Sequence, residues 1–476
     1  MARCLPAASA ALLLSCCSLL LVCATPAVAA APESRLLREA GELRDRALAE
    51  SDAWQHAWSL TTEVGPRPAG SAGDRAAVAW ALTRLADIGF DEIRPQSVQV
   101  SAWERGRAEA RITQPFPQPL VVTALGRSVG TPETGIEAAA VRFESLAALE
   151  AAGLDEVRGR IVFIDERMER RRDGSGYGPA VQKRSLGPSV AARRGAVALV
   201  IRSVGTSNNR IAHTGALRYA EDAAQIPAFA LSNPDADLVT AQFASGEEVR
   251  LYLYSSARNL PPTRSANVIA DIRGAEKPDE IVIMGAHLDS WDLGTGAQDN
   301  ATGVAVLIES ARFIAMMPRR PARTVRIVLY ANEERGLDGS RTYTGAAMQA
   351  EQRHIIGIEA DGGAGLIYRF DSGVDEKAFP VIDAMREILA PLGIEGGDNT
   401  ARGGADLSTL RAEGMPVLSL RHDMSAYFDL HHTANDTLDK VDPEALKQAV
   451  AAYASVVWIA ANVEDDFGAT VPGASD

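Results

Sequence analysis

Seven histidines are spread through the 476 residues, and one of them, His287, closes the apolar run Ile281-Val282-Ile283-Met284-Gly285-Ala286. Downstream come Asp289, Asp299, the adjacent Glu333 and Glu334, Asp361 and His432. Imidazoles and carboxylates in this number can hold two divalent cations for hydrolysis, and one further carboxylate can then move a proton. His287 offers a neutral imidazole whose second ring nitrogen can be held by Asp289, two residues on. Glu333 and Glu334 follow an apolar run closely, and adjacent residues at a strand end point in different directions, so one can bind metal while the other faces a substrate. Asp299 lies among Gly294, Gly296 and Gly303, where backbone without a Cβ can approach a metal. Two divalent ions would be balanced by the carboxylates of Asp299, Glu334 and Asp361 together with one hydroxide. Nitrogen and oxygen donors without sulfur suit zinc, and also admit Mn²⁺ or Co²⁺.

The elements that must position these groups are legible as apolar runs. Residues 281–284, 325–330 and 355–358 read as buried strands, and His287, the glutamate pair and Asp361 each lie just beyond one of them. The carboxyl ends of such strands are where ligands gather in an open α/β sheet. The expected fold class is α/β, with a mixed, mainly parallel central sheet flanked by helices. A helix opening at Asn300 would present Val304, Leu307, Ile308 and Ala311 to the core. A second helix, with Val78, Leu82, Leu85 and Ile88 on one face, follows the turn-rich Gly65-Pro66-Arg67-Pro68-Ala69-Gly70-Ser71.

Residues 1–30 read as a secretory signal peptide: Arg3 is basic, residues 11–22 are apolar but too short to span a bilayer, and Ala27-Val28-Ala29 is a small-x-small cleavage signal. A secreted or periplasmic location follows. All four cysteines, Cys4, Cys16, Cys17 and Cys23, fall in this leader, so the mature chain has neither a disulfide framework nor a thiolate ligand. The formal charge of −14 argues against a nucleic-acid partner. No later stretch is long and apolar enough to expect a membrane partner.

Residues 31–52 have a helical pattern and read as either a propeptide or an N-terminal helix. The main domain is expected over 53–116 and 263–470. Between them, 117–262 carries short strands and a single histidine, His213, read as core or surface, and is expected to form a separate β-rich insert that ends at Pro261-Pro262.

The series His287-Leu288-Asp289-Ser290, Gln298-Asp299-Asn300-Ala301-Thr302-Gly303, Asn332-Glu333-Glu334-Arg335-Gly336, Glu359-Ala360-Asp361 and His431-His432-Thr433-Ala434-Asn435-Asp436-Thr437 resembles the motifs of the co-catalytic zinc aminopeptidase and carboxypeptidase family. The insert resembles a protease-associated domain through Gly159-Arg160-Ile161-Val162, Ala191-Ala192-Arg193-Arg194-Gly195-Ala196 and Ile226-Pro227-Ala228. The resemblance implies the zinc exopeptidase fold, two Zn²⁺ per chain, a peptide substrate and a homodimer. His287, Asp299 and Asp361 would hold one zinc, and Asp299, Glu334 and His432 the other. Glu333 would be the general base acting on a metal-bridging water, with Asp289 and Asp436 behind the ligands. His431 falls where some relatives carry a tyrosine that steadies the oxyanion, and Tyr427 is a second candidate for that role. The resemblance also implies a cis peptide between Asp299 and Asn300.

An exported exopeptidase acting as aminopeptidase, dipeptidase or carboxypeptidase is the reading expected from these features. Arg402 and Arg421 are candidates to meet a substrate carboxylate, and Trp291 to wall the pocket, while His354 and His422 read as core or surface. Two other readings use the same fold: a single-zinc acyltransferase like glutaminyl cyclase, and a receptor-type binding ectodomain without catalysis.

Overall fold

The computed structural model describes residues 1–2 and 32–469, so the leader read at 1–30 lies almost wholly outside the described residues. Strand Lys277–His287 is the middle of an eight-stranded mixed sheet whose order runs Glu92–Glu104, Arg258–Ile272, Arg323–Tyr330, Lys277–His287, Arg353–Glu359, Val417–His422, Ile367–Gly373, Glu395–Gly396. Its four central strands, from Arg323–Tyr330 to Val417–His422, are parallel, and antiparallel pairings flank them on both sides. Side chains alternate between the two faces of a strand. Val282, Met284 and Ala286 accordingly enter one core with helices Thr302–Ala315, Pro443–Asn462 and Ser34–Glu50, while Ile281 and Ile283 enter another with Tyr343, Leu407 and Leu410. Both faces being covered, the central strands are mostly buried and rich in Val, Ile and Leu, as parallel central strands are.

Helix Ser34–Glu50 buries Leu36, Ala40, Leu43 and Ala47 in the first of these cores, so the segment read as propeptide or first helix is packed as a helix of the main domain. Its neighbour Ala53–Ser59 is tied to helix Thr302–Ala315 by Glu309, which accepts from the Asp52 N–H at 3.0 Å and lies 3.0 Å from His56 Nε2. Among the described residues no helix is long and apolar enough to cross a membrane.

The insert carries its own eight-stranded sheet, with no strand shared with the first, and helices such as Tyr177–Ser185 and Asn233–Phe243 accompany it. Its limits differ from the expected 117–262. Strand Ala108–Gln114, placed in the main domain by sequence, pairs with Arg250–Ser255 in the insert sheet. Strand Arg258–Ile272 already belongs to the main sheet, so Pro261-Pro262 lies inside a strand and not at its start. The prolines are accommodated because the pairing with Glu92–Glu104 shifts register between Val100 and Ala102, and a residue without an N–H sits at such a break at little cost.

Candidate metal centre

Four parallel strands deliver their carboxyl ends to one edge, and the sequence motifs lie there. His287 is the last residue of its strand and pairs in register with Tyr330, after which Ala331 and Asn332 lead into Glu333 and Glu334. Asn332 turns the chain by adopting φ 62°, a left-handed conformation that asparagine tolerates better than most residues, and helix Glu333–Gly336 starts directly after it. Glu359 ends the neighbouring strand, with Asp361 two residues on.

Asp299 stands in the middle of the group. Its Oδ1 is 3.0 Å from His287 Nε2, and its Oδ2 is 3.3 Å from His432 Nε2. Asp361 Oδ1 approaches His287 Nε2 to 3.4 Å on the first side, and Glu334 Oε2 approaches His432 Nε2 to 2.9 Å on the second. His287 directs Nδ1 at the Asp289 backbone carbonyl, 3.1 Å away. A carbonyl only accepts, so Nδ1 carries the proton and the Nε2 lone pair is free for a cation. His432 repeats the arrangement with the Thr214 carbonyl at 3.4 Å. Glu334 Oε1 is buried with no hydrogen-bond partner among the described residues. Two imidazole nitrogens and three converging carboxylates, one with an orphaned oxygen, form a donor set that fits zinc.

Without a cation the cluster must hold protons instead. Burial pushes the Glu334 carboxyl up to about 7, and the charge of Asp299 adds to the effect. Burial works against a charged His432, but Glu334 and Asp299 outweigh it and hold the ring at about 9. A metal ion settling here displaces those protons.

The sequence matches Peptidase family M28 over residues 267–457. It is 31% identical over 406 residues to carboxypeptidase Q of Rattus norvegicus, covering 85% of this chain and 84% of that protein. Carboxypeptidase Q of Homo sapiens is 30% identical over 418 residues, covering 88% and 87%. The crystal structure of a peptidase M28 precursor from Shewanella amazonensis SB2B superimposes with a TM-score of 0.90 at 48% identity, covering 92% of this chain and 99% of that one. The chain belongs to peptidase family M28. An aminopeptidase from Aneurinibacillus sp. strain AM-1 shares the fold at 22% identity, with a TM-score of 0.63. This M28 protein is therefore a peptidase.

Several supporting contacts in the M28 centre differ from what the motifs alone led one to expect. Asp289 holds His287 through its carbonyl and not its carboxylate, whose Oδ1 lies 3.8 Å from the ring. The carboxylate instead accepts the Glu333 N–H at 3.0 Å, so one residue orients both the imidazole and the neighbouring glutamate. Asp436 accepts the backbone N–H groups of Gln298 at 2.7 Å and Asp299 at 3.2 Å. The Asp299-Asn300 peptide is cis, as the resemblance implied. The nearby glycines make room for protein and not for metal: a Cβ on Gly294 would lie 2.7 Å from the Thr433 carbonyl oxygen, and one on Gly303 would lie 2.1 Å from that of Ala360.

His431 stacks on His432, with ring centroids 3.5 Å apart, and its Nε2 is 3.6 Å from Asp299 Oδ2. Tyr427 packs against His431 at 5.1 Å. Trp291 lies edge-on to His432 at 5.6 Å. Arg421 donates from Nε to Asp371 at 2.9 Å and lines a cavity of about 120 Å³ that Asp361 and Glu359 share, whereas Arg402 lines a separate groove with Asn399 and Arg411. His354 meets the Tyr343 hydroxyl, and His422 meets the Gly365 carbonyl while lining the cavity that Asp361 and Glu359 share.

Three contributors escaped the sequence reading. Arg67 is wholly buried and donates to the carbonyls of Leu288, Gly65, Thr295 and Gly296, tying together the two loops that carry Asp289 and Asp299. An arginine between two prolines in a turn was the available signal. Glu359 accepts the backbone N–H groups of Asp406 and Leu407, and burial pushes its carboxyl up to about 8. His213, from the insert, lies at the centre itself, as described below.

Proposed function

We propose that the chain is an exported dizinc exopeptidase that hydrolyses dipeptides or other short peptides. The observation carrying this reading is the two-sided placement of Asp299, one oxygen toward His287 and the other toward His432. In this assignment His287, Asp299 and Asp361 hold one zinc, and Asp299, Glu334 and His432 hold the other. When bound, the zinc pair polarises the scissile carbonyl and acidifies water.

The remaining work falls to the protein's own groups. Glu333 takes a proton on its carboxylate from the attacking water and delivers it to the nitrogen of the departing amine. The Asp289 carboxylate keeps Glu333 in place through its N–H, and the Asp289 carbonyl keeps His287 in the required tautomer. His431, stacked beside His432 with Nε2 near Asp299, supplies a hydrogen bond to the developing oxyanion. The leader motif supports export to the periplasm or beyond, and the family resemblance supports a homodimer.

The test is a library of unblocked dipeptides digested by the purified protein and read by mass spectrometry, alongside N-acetylated and C-amidated controls and a zinc assay. About two zinc ions per chain, with hydrolysis of unblocked dipeptides, is the expected result, and the blocked controls report which terminus is required. One zinc per chain would favour the acyltransferase chemistry, and none the binding ectodomain.

A further inference from the structure

His432 is an unusual place to find a regular backbone contact, because its φ is 61° in a residue with a β-carbon. Such a conformation persists only where the surroundings hold it. The holding groups come from the insert. The Thr214 N–H donates to the His432 carbonyl at 2.9 Å, and the Thr214 carbonyl faces His432 Nδ1. One residue earlier, His213 Nδ1 lies 2.8 Å from the His431 carbonyl. That oxygen only accepts, so His213 is the donor, and its ring is in the neutral Nδ1–H form. Burial pushes its pKa down to about 4, which keeps it so across the working range. Both carbonyls of the His431-His432 pair are thus captured by two consecutive residues of a different domain.

The insert residues are themselves fixed. The His213 N–H donates to Ser203 Oγ at 2.9 Å, and Thr214 Oγ1 accepts from Arg105 at 2.9 Å. The His213 ring lies flat against Gly205, where an added Cβ would come within 2.2 Å of Cε1. The ring's position therefore depends on that residue remaining glycine.

We propose that the insert is a working part of the metal centre, with His213 a positioning residue that sets the backbone of His431-His432 and so the aim of His432 Nε2. The proposal rests on His432 being a metal ligand. It predicts that an insert residue touching no metal controls the affinity of one ion of the pair and leaves the other unchanged.

The experiment uses the full-length protein and three variants. His213→Phe keeps a planar ring and removes the donor; Gly205→Ala displaces the ring without changing the identity of any residue that touches His431 or His432; His213→Asn keeps a donor near the Nδ1 position. Zinc affinity is read by competition with a chelator, and the melting of the metal-free proteins is followed separately. His213→Phe and Gly205→Ala are expected to weaken one zinc by roughly 10- to 100-fold, as loss of a supporting contact does, with the other ion unaffected. His213→Asn should stay within a few-fold of the parent. Should His213→Phe fail to fold, Gly205→Ala against His213→Asn makes the same comparison. Unchanged affinity for both ions in folded Gly205→Ala, equal weakening of both, or His213→Asn as weak as Gly205→Ala would overturn the proposal. His432→Ala serves as the separate control: if it still binds two zinc ions like the parent, the ligand assignment fails, and not the role of His213.

Discussion

Glu334 Oε2 lies 2.9 Å from His432 Nε2, whereas the adjacent Glu333 is anchored through its backbone N–H, which donates to the Asp289 carboxylate. Two glutamates of identical chemistry therefore sit in different surroundings. Glu333→Gln keeps size and hydrogen bonding but cannot accept a proton, so both zinc ions should stay while kcat falls by about 10²- to 10⁴-fold. Glu334→Gln replaces an anionic ligand by a weak neutral one, so zinc content should fall and activity should recover in part with excess metal. Zinc stoichiometry and kcat on both variants decide it; zinc loss in Glu333→Gln would show the roles reversed.

Removal of metal should be felt by the fold as well as by the activity. The centre joins strand ends, the Asp299 loop and the His431-His432 segment, all of which separate in the unfolded chain. Metal present at a thousand times its dissociation constant stabilises by about 4 kcal/mol through binding to the folded state alone. Dialysis against a chelator should therefore abolish hydrolysis and lower the melting temperature, and zinc should restore both. An unchanged melting curve would mean that the cluster does not bind metal in the folded protein.

Glu309 gives a pH dependence separate from the metal centre. Burial acts to raise its pKa, but hydrogen bonds from His56, Arg312 and the Asp52 N–H outweigh burial and hold it at about 2. A carboxyl depressed in the folded state contributes stability that is fully present above its unfolded pKa of about 4.3. That contribution fades as pH falls toward 2. Glu309→Gln should cost about 1–3 kcal/mol at neutral pH, the range for leaving buried polar groups poorly matched, and its stability should vary less than the parent's between pH 4.3 and 2. Urea denaturation of both metal-free proteins over that interval makes the comparison, since ligand titration is common to the two. Parallel curves would exclude Glu309.

Leu43 tests the status of the first helix. It is 1% exposed within the main core. Truncation to alanine at such a site costs about 2–5 kcal/mol. Leu43→Ala measured by urea denaturation should fall in that range. A change within about 0.5 kcal/mol, as for surface substitutions, would instead support a helix that the mature enzyme can shed.

Much of this protein was readable from order and spacing alone. Apolar runs of strand length with ligand-capable residues just past their ends specify an α/β sheet with a site on its carboxyl edge, because strand register and chain direction leave those residues no other edge to occupy. His287, Glu333, Glu334 and Asp361 were singled out in this way, whereas Asp299 was singled out by its glycine-rich setting and His432 by its place in the motif series. Contacts made by groups without a distinctive sequence were not. The His287 ring is held by a backbone carbonyl, which every residue possesses, and Gly294 and Gly303 are required by carbonyls of Thr433 and Ala360, far away in the chain. The insert boundary was misplaced because strand Ala108–Gln114 has the same local pattern in either sheet, and only pairing with Arg250–Ser255 assigns it. His213 looked like any core histidine for the same reason. Local sequence determines which residues form elements and which side chains can do chemistry. Which distant carbonyl lies 3 Å from which nitrogen is decided by how two domains pack, and that packing brings residue 213 against residue 431.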